Sequence, residues 1–267
     1  MCPLCVRSRV AATRPFVQPR LERVRSRRAQ IARFIAAVLI TGGALLLVDA
    51  AVTVVWQEPI SALIAGREQA DLRGQLKQLE QYSVADEHAV ASVKDEPDRL
   101  AALATKEQAR ARSGHALGRL RMPTLDRTYV FVQGTSTGSL RKGPGHYSGT
   151  ALPGEAGTVA IAGHRTTYLA PFRTVDQLRP GDPLILDMPY GVFTYRVEET
   201  RIVKPSAVWV TRSVGYPRLV LTACHPLYSA SNRIVIFAKL SKEESRDSSR
   251  RTSPTSSASA TSSTASQ

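Results

Sequence analysis

The chain has 267 residues, a formal net charge of +14 and a hydrophobic share of 43%. That length allows about one or two domains, but much of the apolar content lies in one run near the N-terminus and the last stretch has almost none, which leaves material for a single domain of ordinary size. The positive excess is concentrated ahead of the apolar run, from Arg7 to Arg33 with only Glu22 against it, so the charge argues for a membrane-flanking cluster and against a nucleic-acid-binding face.

Residues 1–33 are basic and without sustained periodicity, and they are expected to form a mostly disordered cytoplasmic arm. Cys2 and Cys5 make an isolated C-x-x-C with no second cysteine or histidine pair nearby. Two reduced thiols fit that context better than a zinc or redox site. The run from Phe34 to Trp56 is long enough to cross a hydrocarbon core of about 30 Å. Its large apolar side chains supply about −5 kcal/mol on the insertion scale against about +3 for Asp49. The arginine cluster then keeps the amino end in the cytoplasm and sends everything after Trp56 outside. A cleaved signal peptide would have a shorter apolar core and a clear small-residue cleavage site.

Residues 57–113 are charged and helix-forming, with Ile60, Leu63, Ala70, Leu72, Leu76 and Leu79 at mixed spacings and a break near Glu96-Pro97. They are expected to form a helical stalk. The folded domain is placed at 114–242. Strands are expected at Arg127 to Val132, Gly157 to Gly163, Pro183 to Asp187 and Gly191 to Lys204, with a Gly/Ser/Thr loop after the first. A closing pair follows at Arg218 to Ala223 and Arg233 to Ala238. Short, evenly spaced strands with few helices predict a mainly β fold, a closed or nearly closed mixed β-barrel. Residues 243–267 are Ser/Thr-rich and are expected to be a disordered tail.

With Cys2 and Cys5 inside, Cys224 is expected to be the one exterior thiol, either buried and inert or kept for reactivity. If the last two strands pair antiparallel, Cys224 and Arg233 share one edge of the sheet. His164 also ends a strand, so the three groups can meet at one rim. An imidazole there can exchange the thiol proton and protonate a leaving amine. A guanidinium can stabilise a thiolate or a substrate oxyanion. Taken singly, each has a plainer reading: Cys224 as a small buried hydrophobe, His164 as a turn cap, Arg233 as a solvated edge charge. His146 and His225 are competing imidazoles that a turn context explains.

The blocks Gly143-Pro144-Gly145-His146-Tyr147, Ala162-Gly163-His164-Arg165-Thr166-Thr167-Tyr168 and Thr222-Ala223-Cys224-His225-Pro226, with Arg233 downstream, resemble the sortases, most of all the class E housekeeping type of actinobacteria. The resemblance covers about Gly118 to Leu240. It implies Cys224 as nucleophile, His164 as general acid/base and Arg233 as the substrate-aligning, oxyanion-stabilising group. It also implies attack on the Thr–Gly bond of an LAXTG-like or LPXTG sorting signal on a secreted protein, a thioester acyl-enzyme, and transfer to an amine of a peptidoglycan precursor. Tyr147, Thr222, Thr167 and Tyr168 are the substrate-binding candidates. Ala223, where the family often has threonine, and Ser231-Asn232 depart from the pattern in ways that bear on loop contacts with substrate. No metal-ligand cluster is visible, so no metal and no cofactor is expected.

Among other cysteine enzymes, an L,D-transpeptidase would carry a Ser-x-Gly-Cys block, and a papain-like protease would place its cysteine ahead of its histidine. A catalytically inactive peptide-binding scaffold remains compatible with the same residues. A class C-like pilin-polymerising enzyme would usually bring a lid and a C-terminal membrane helix.

Overall fold

The computed structural model describes residues 20–56 and 59–246; the C-x-x-C pair and residues 247–267 of the tail lie outside the described residues. Two compact units are present, residues 1–53 and 54–267. Helix α1 (Arg20–Trp56) accounts for the described part of the first. Its stretch Ala29–Val52 is 24 residues long and apolar enough to cross a membrane, about 36 Å at 1.5 Å per residue. Phe34, Leu39, Ile40, Leu46 and Leu47 are exposed along it. Such a helix is compatible with a single-pass anchor. It begins at Arg20 rather than at Phe34, so the end of the arm expected to be irregular is helical. Its arginines, with Leu21, Ala29 and Ala32 among them, are good helix formers.

The second unit is built on a barrel of eight strands: β1 (Ala116–Met122), β2 (Arg127–Gln133), β3 (Gly145–His146), β4 (Thr158–Ala162), β5 (Pro183–Met188), β6 (Gly191–Val203), β7 (Arg218–His225) and β8 (Asn232–Ser245). They close in the order β1-β2-β3-β4-β7-β8-β6-β5. The pairs β2–β3 and β4–β7 are parallel. This is the closed mixed barrel expected from the strand spacing. Alternate side chains, among them Phe131, Ile161, Leu186, Phe193, Leu221 and Ile236, fill the interior. Strands β4, β7 and β8 are buried on their outer face as well, where Ala160, Val220, Val235 and Phe237 pack with Val210, a residue of the short 3-10 turn Val208–Thr211. Burial on both faces explains why these strands read as continuous apolar runs.

Strand β8 continues beyond the expected end of the domain, through Glu243 and Glu244, which pair with Phe193 and Val192 of β6. Ladder hydrogen bonds and the Arg246 guanidinium on Asp187 (2.6 Å) and on the Met188 carbonyl (2.7 Å) hold a segment that has little apolar surface of its own. The loop expected after β2 contains a short helix, α4 (Thr137–Lys142), whose cap Ser136 accepts from the Ser139 N–H at 3.2 Å.

The stretch expected to be a stalk folds as α2 (Pro59–Ala89) and α3 (Glu96–Arg110), and both lie on the barrel. Leu72 and Leu76 pack with Ala116, Val130 and Val132; Leu100, Leu103 and Ala104 join the main core. Glu96-Pro97 starts a helix rather than ending one. Asp95 caps it by accepting from the Asp98 N–H at 3.3 Å, and proline is tolerated in the first turn because its missing N–H has no helical partner there. Gln69 binds the part of the β2 edge that β3 leaves unpaired, as a strand would: its Nε2 donates to the Val130 carbonyl at 2.8 Å and its Oε1 accepts from the Val130 N–H at 2.9 Å. Each such bond contributes about 1 kcal/mol net.

Candidate active site

The site is set by register. On β7 and β8, Cys224 lies directly opposite Arg233, and Thr222 opposite Val235. Since Val235 belongs to the outer cluster, the side chains of Thr222, Cys224 and Arg233 share that outer face. Opposite residues of an antiparallel pair have Cβ atoms about 4.5–5.5 Å apart. On the other side of β7, parallel β4 aligns Ala162 with Thr222. The last bond of that ladder runs from the Gly163 N–H to the Thr222 carbonyl at 3.0 Å. His164 follows two residues after Ala162, as Cys224 follows two residues after Thr222. Gly163 is required there because a Cβ would meet the Phe172 ring at 2.5–2.9 Å. Val220 is fully covered, whereas Cys224, a free thiol, is half-buried. The outer layer ends between them, so the strand delivers its cysteine to the rim.

Two cavities flank this row. One, of about 330 Å³, is lined by Arg165, Thr166, Cys224, Pro226 and Tyr228. The other, of about 220 Å³, is lined by Tyr147, Thr222, Arg233, Val235 and the 204–211 segment. Of the substrate-binding candidates, Tyr147 and Thr222 are joined, hydroxyl to hydroxyl, at 3.0 Å. Tyr168 stands instead against the His164 ring, with centroids 5.3 Å apart. Thr167 lines neither cavity and uses its carbonyl to accept from the Ala170 N–H at 2.8 Å. Arg233 donates to the Ala230 and Asn232 carbonyls, each at 3.0 Å, bonds that hold its guanidinium at the mouth of the β7–β8 loop.

His164 keeps a buried Nε2 without a hydrogen-bond partner. Burial lowers its proton affinity below the ordinary histidine value, and the nearby Arg141 charge lowers it further. A neutral imidazole with a bare nitrogen can accept a thiol proton. His146 is different: Nδ1 meets Gln133 Oε1 at 2.8 Å and Nε2 meets the Ala151 carbonyl at 3.0 Å. The Nδ1 of His225 faces Arg165 at 3.2 Å.

Backbone strain is concentrated around the site. Tyr168, Leu169 and Ala170 are consecutive left-handed residues with φ of 50°, 64° and 41°, and Tyr228 in the β7–β8 loop has φ of 63°. Left-handed non-glycine residues are costly and are retained where surrounding contacts over-determine them. Arg165, among residues without an assigned role in the sequence, supplies such contacts. It is buried, donates to the Arg173 carbonyl at 2.9 Å and pairs with Asp176 at 3.0 Å. Arg141, Thr166 and Asp176 also escaped the sequence reading. The position of Arg165 beside His164 was the available signal for it; Arg141 carried none.

Residues 120–241 match a family model described as the Sortase domain. The chain is similar to Sortase D of Bacillus subtilis (strain 168), 36% identical over 131 residues that make up 48% of this chain and 65% of that protein. It is also similar to Sortase SrtE1 of Streptomyces coelicolor, 31% identical over 149 residues, 50% of this chain and 42% of that one. It thus spans less than two thirds of the length of either relative. Among solved structures, sortase E from Streptomyces avermitilis is 31% identical, with a TM-score of 0.47 over 51% of this chain and 94% of the other. Sortase E1 from Streptomyces coelicolor, with a tripeptide in its active site, is 29% identical, with a TM-score of 0.49 over 51% and 94%.

Proposed function

As this chain belongs to the sortase family through residues 120–241, we propose that it is a membrane-anchored cysteine transpeptidase of the class E type. Cys224 attacks the Thr–Gly carbonyl of an LAXTG-like or LPXTG sorting signal on a secreted protein. His164 takes the thiol proton and returns it to the departing glycine amine, so the C–N bond breaks as the thioester forms. Arg233 donates hydrogen bonds to the oxyanion of the tetrahedral intermediate. An amine of a peptidoglycan precursor then attacks the thioester, His164 accepts the amine proton, and Cys224 is released as the second C–N bond forms. Tyr147 and Thr222 line the cavity on the Arg233 side and are assigned to the signal peptide. The apolar stretch of α1, with the basic residues ahead of it, anchors the protein with its amino end in the cytoplasm and the barrel outside.

The observation that supports this reading is the register of β7 between β4 and β8, which pairs Cys224 with Arg233 and aligns Thr222 with Ala162, two residues before His164. The test is the full chain in detergent micelles with fluorogenic LAXTG and LPXTG peptides, with and without an amine acceptor. Cleavage of at least one peptide and an amine-dependent product are expected, with LAXTG preferred. Binding of the peptides without any turnover would replace the transpeptidase reading with an inactive peptide-binding scaffold.

A further inference from the structure

Helix α2 reaches the candidate site at two places. Near its start, Ser61 Oγ accepts the Tyr168 N–H at 3.3 Å, gripping the first of the three left-handed residues after His164. Two turns on, Gln69 Nε2 donates to the Lys142 carbonyl at 2.8 Å, and Glu68 stands 3.9 Å from Lys142 Nζ. Lys142 ends α4, the helix that carries Arg141. Gly143 leaves room for this grip, since a Cβ there would collide with the Gln69 amide. Between the two points lies a stack. The Arg141 guanidinium sits 5.7 Å from the Tyr168 ring centroid, and that ring lies against His164.

We propose that α2 is a positioning element of the site: through Ser61 and Gln69 it holds the Arg141–Tyr168 stack against the His164 imidazole and fixes where that ring sits relative to Cys224. Ser61, Gln69, Tyr168 and Arg141 are positioning residues in this account, and their effect on turnover rests on the transpeptidase reading. A strained left-handed turn needs outside contacts to persist. Removing the grip of α2 lets the turn relax and carries Tyr168 and Arg141 away from the ring. Arg141 from α4 and the Tyr168 ring from its own loop face His164, and Cys224 lies near the end of the neighbouring strand β7. Glu68 of α2 is taken up by Lys142. Moving Arg141 away, or wetting the ring, raises the proton affinity of His164.

The test is the titration of His164 by NMR in the full chain, with histidine labelled at Cε1 and the signal assigned by its loss in His164→Gln. Gln69→Leu, Ser61→Ala and Arg141→Met are each expected to move the midpoint upward toward the ordinary histidine value, and Arg141→Lys to leave it near wild type. In the peptide assay, Gln69→Leu is expected to lower kcat about tenfold with KM unchanged, and to move the acid limb of kcat/KM to higher pH. Should Gln69→Leu fail to fold, Ser61→Ala decides the question. An unchanged His164 midpoint in the folded variants overturns the proposal. Because the titration requires no peptide cleavage, an inactive protein would sink the transpeptidase reading while the role of α2 was still decided.

Discussion

Two imidazoles on neighbouring segments of the barrel wall have opposite fates. His146 on β3 and His164 just past β4 are both depressed in proton affinity by burial. His146 is saturated, with Gln133 on one nitrogen and Ala151 and Thr150 on the other. His164 is packed just as deliberately against Tyr168, yet its Nε2 is left bare. Burial and the direction of the pKa shift therefore do not separate a structural histidine from a candidate catalytic one. What separates them is whether the ring nitrogens already have partners.

The sharpest way to break this contrast is to delete each ring. His164→Ala is expected to lower kcat/KM on a signal peptide by about 10²- to 10⁴-fold, the usual weight of a general acid/base, with little change in melting temperature. His146→Ala is expected to do the reverse, costing about 1–3 kcal/mol of stability by leaving its buried hydrogen-bond partners unpaired while the folded fraction keeps its turnover. Denaturant titration and kinetics on both variants check the pair, and equal kinetic losses would dissolve the distinction.

A second test uses pH. Both folded-state pKa values lie below the ordinary value of about 6.5, so as the pH falls through about 6.5 the unfolded chain takes up protons first. Each histidine therefore contributes stability that is present above that value and lost below it. The melting temperature is expected to fall between about pH 7.5 and 5.5, and to fall less steeply in His146→Gln than in wild type. An identical slope would mean that His146 is not held neutral. The smallest effect belongs to Tyr147→Phe, which removes one hydroxyl pair with Thr222, worth about 1 kcal/mol. The expected loss in kcat/KM is about fivefold or less, and it should differ between LAXTG and LPXTG if the pair contacts the signal.

The β7–β8 arm of the site was legible in the sequence because strand physics is local. Continuous apolar runs gave the strands, and a short loop made them antiparallel neighbours, which puts Cys224 opposite Arg233. The docking of α2 was illegible for an equally physical reason. Its buried face runs through Ser61, Ala65, Gln69, Leu72, Leu76 and Ser83, at helical spacing, but four of those six residues are small or polar and do not register as an apolar stripe. Ser83 and Gln69 reach barrel backbone through hydrogen bonds, which hydrophobic periodicity cannot reveal. Arg141 was hidden for a related reason, since only the tertiary placement of α4 brings it to Tyr168. The bare nitrogen of His164 likewise depends on what the fold withholds from it.

In the proposed mechanism Cys224 is the nucleophile of an acyl transfer. Mass spectrometry of the full chain quenched after brief mixing with an LAXTG peptide tests this directly. An acyl adduct of the peptide up to its threonine is expected on Cys224, discharged by hydroxylamine or an amine acceptor and absent in Cys224→Ala. No adduct on the wild-type chain under conditions of peptide binding, or an adduct that survives in Cys224→Ala, would contradict it.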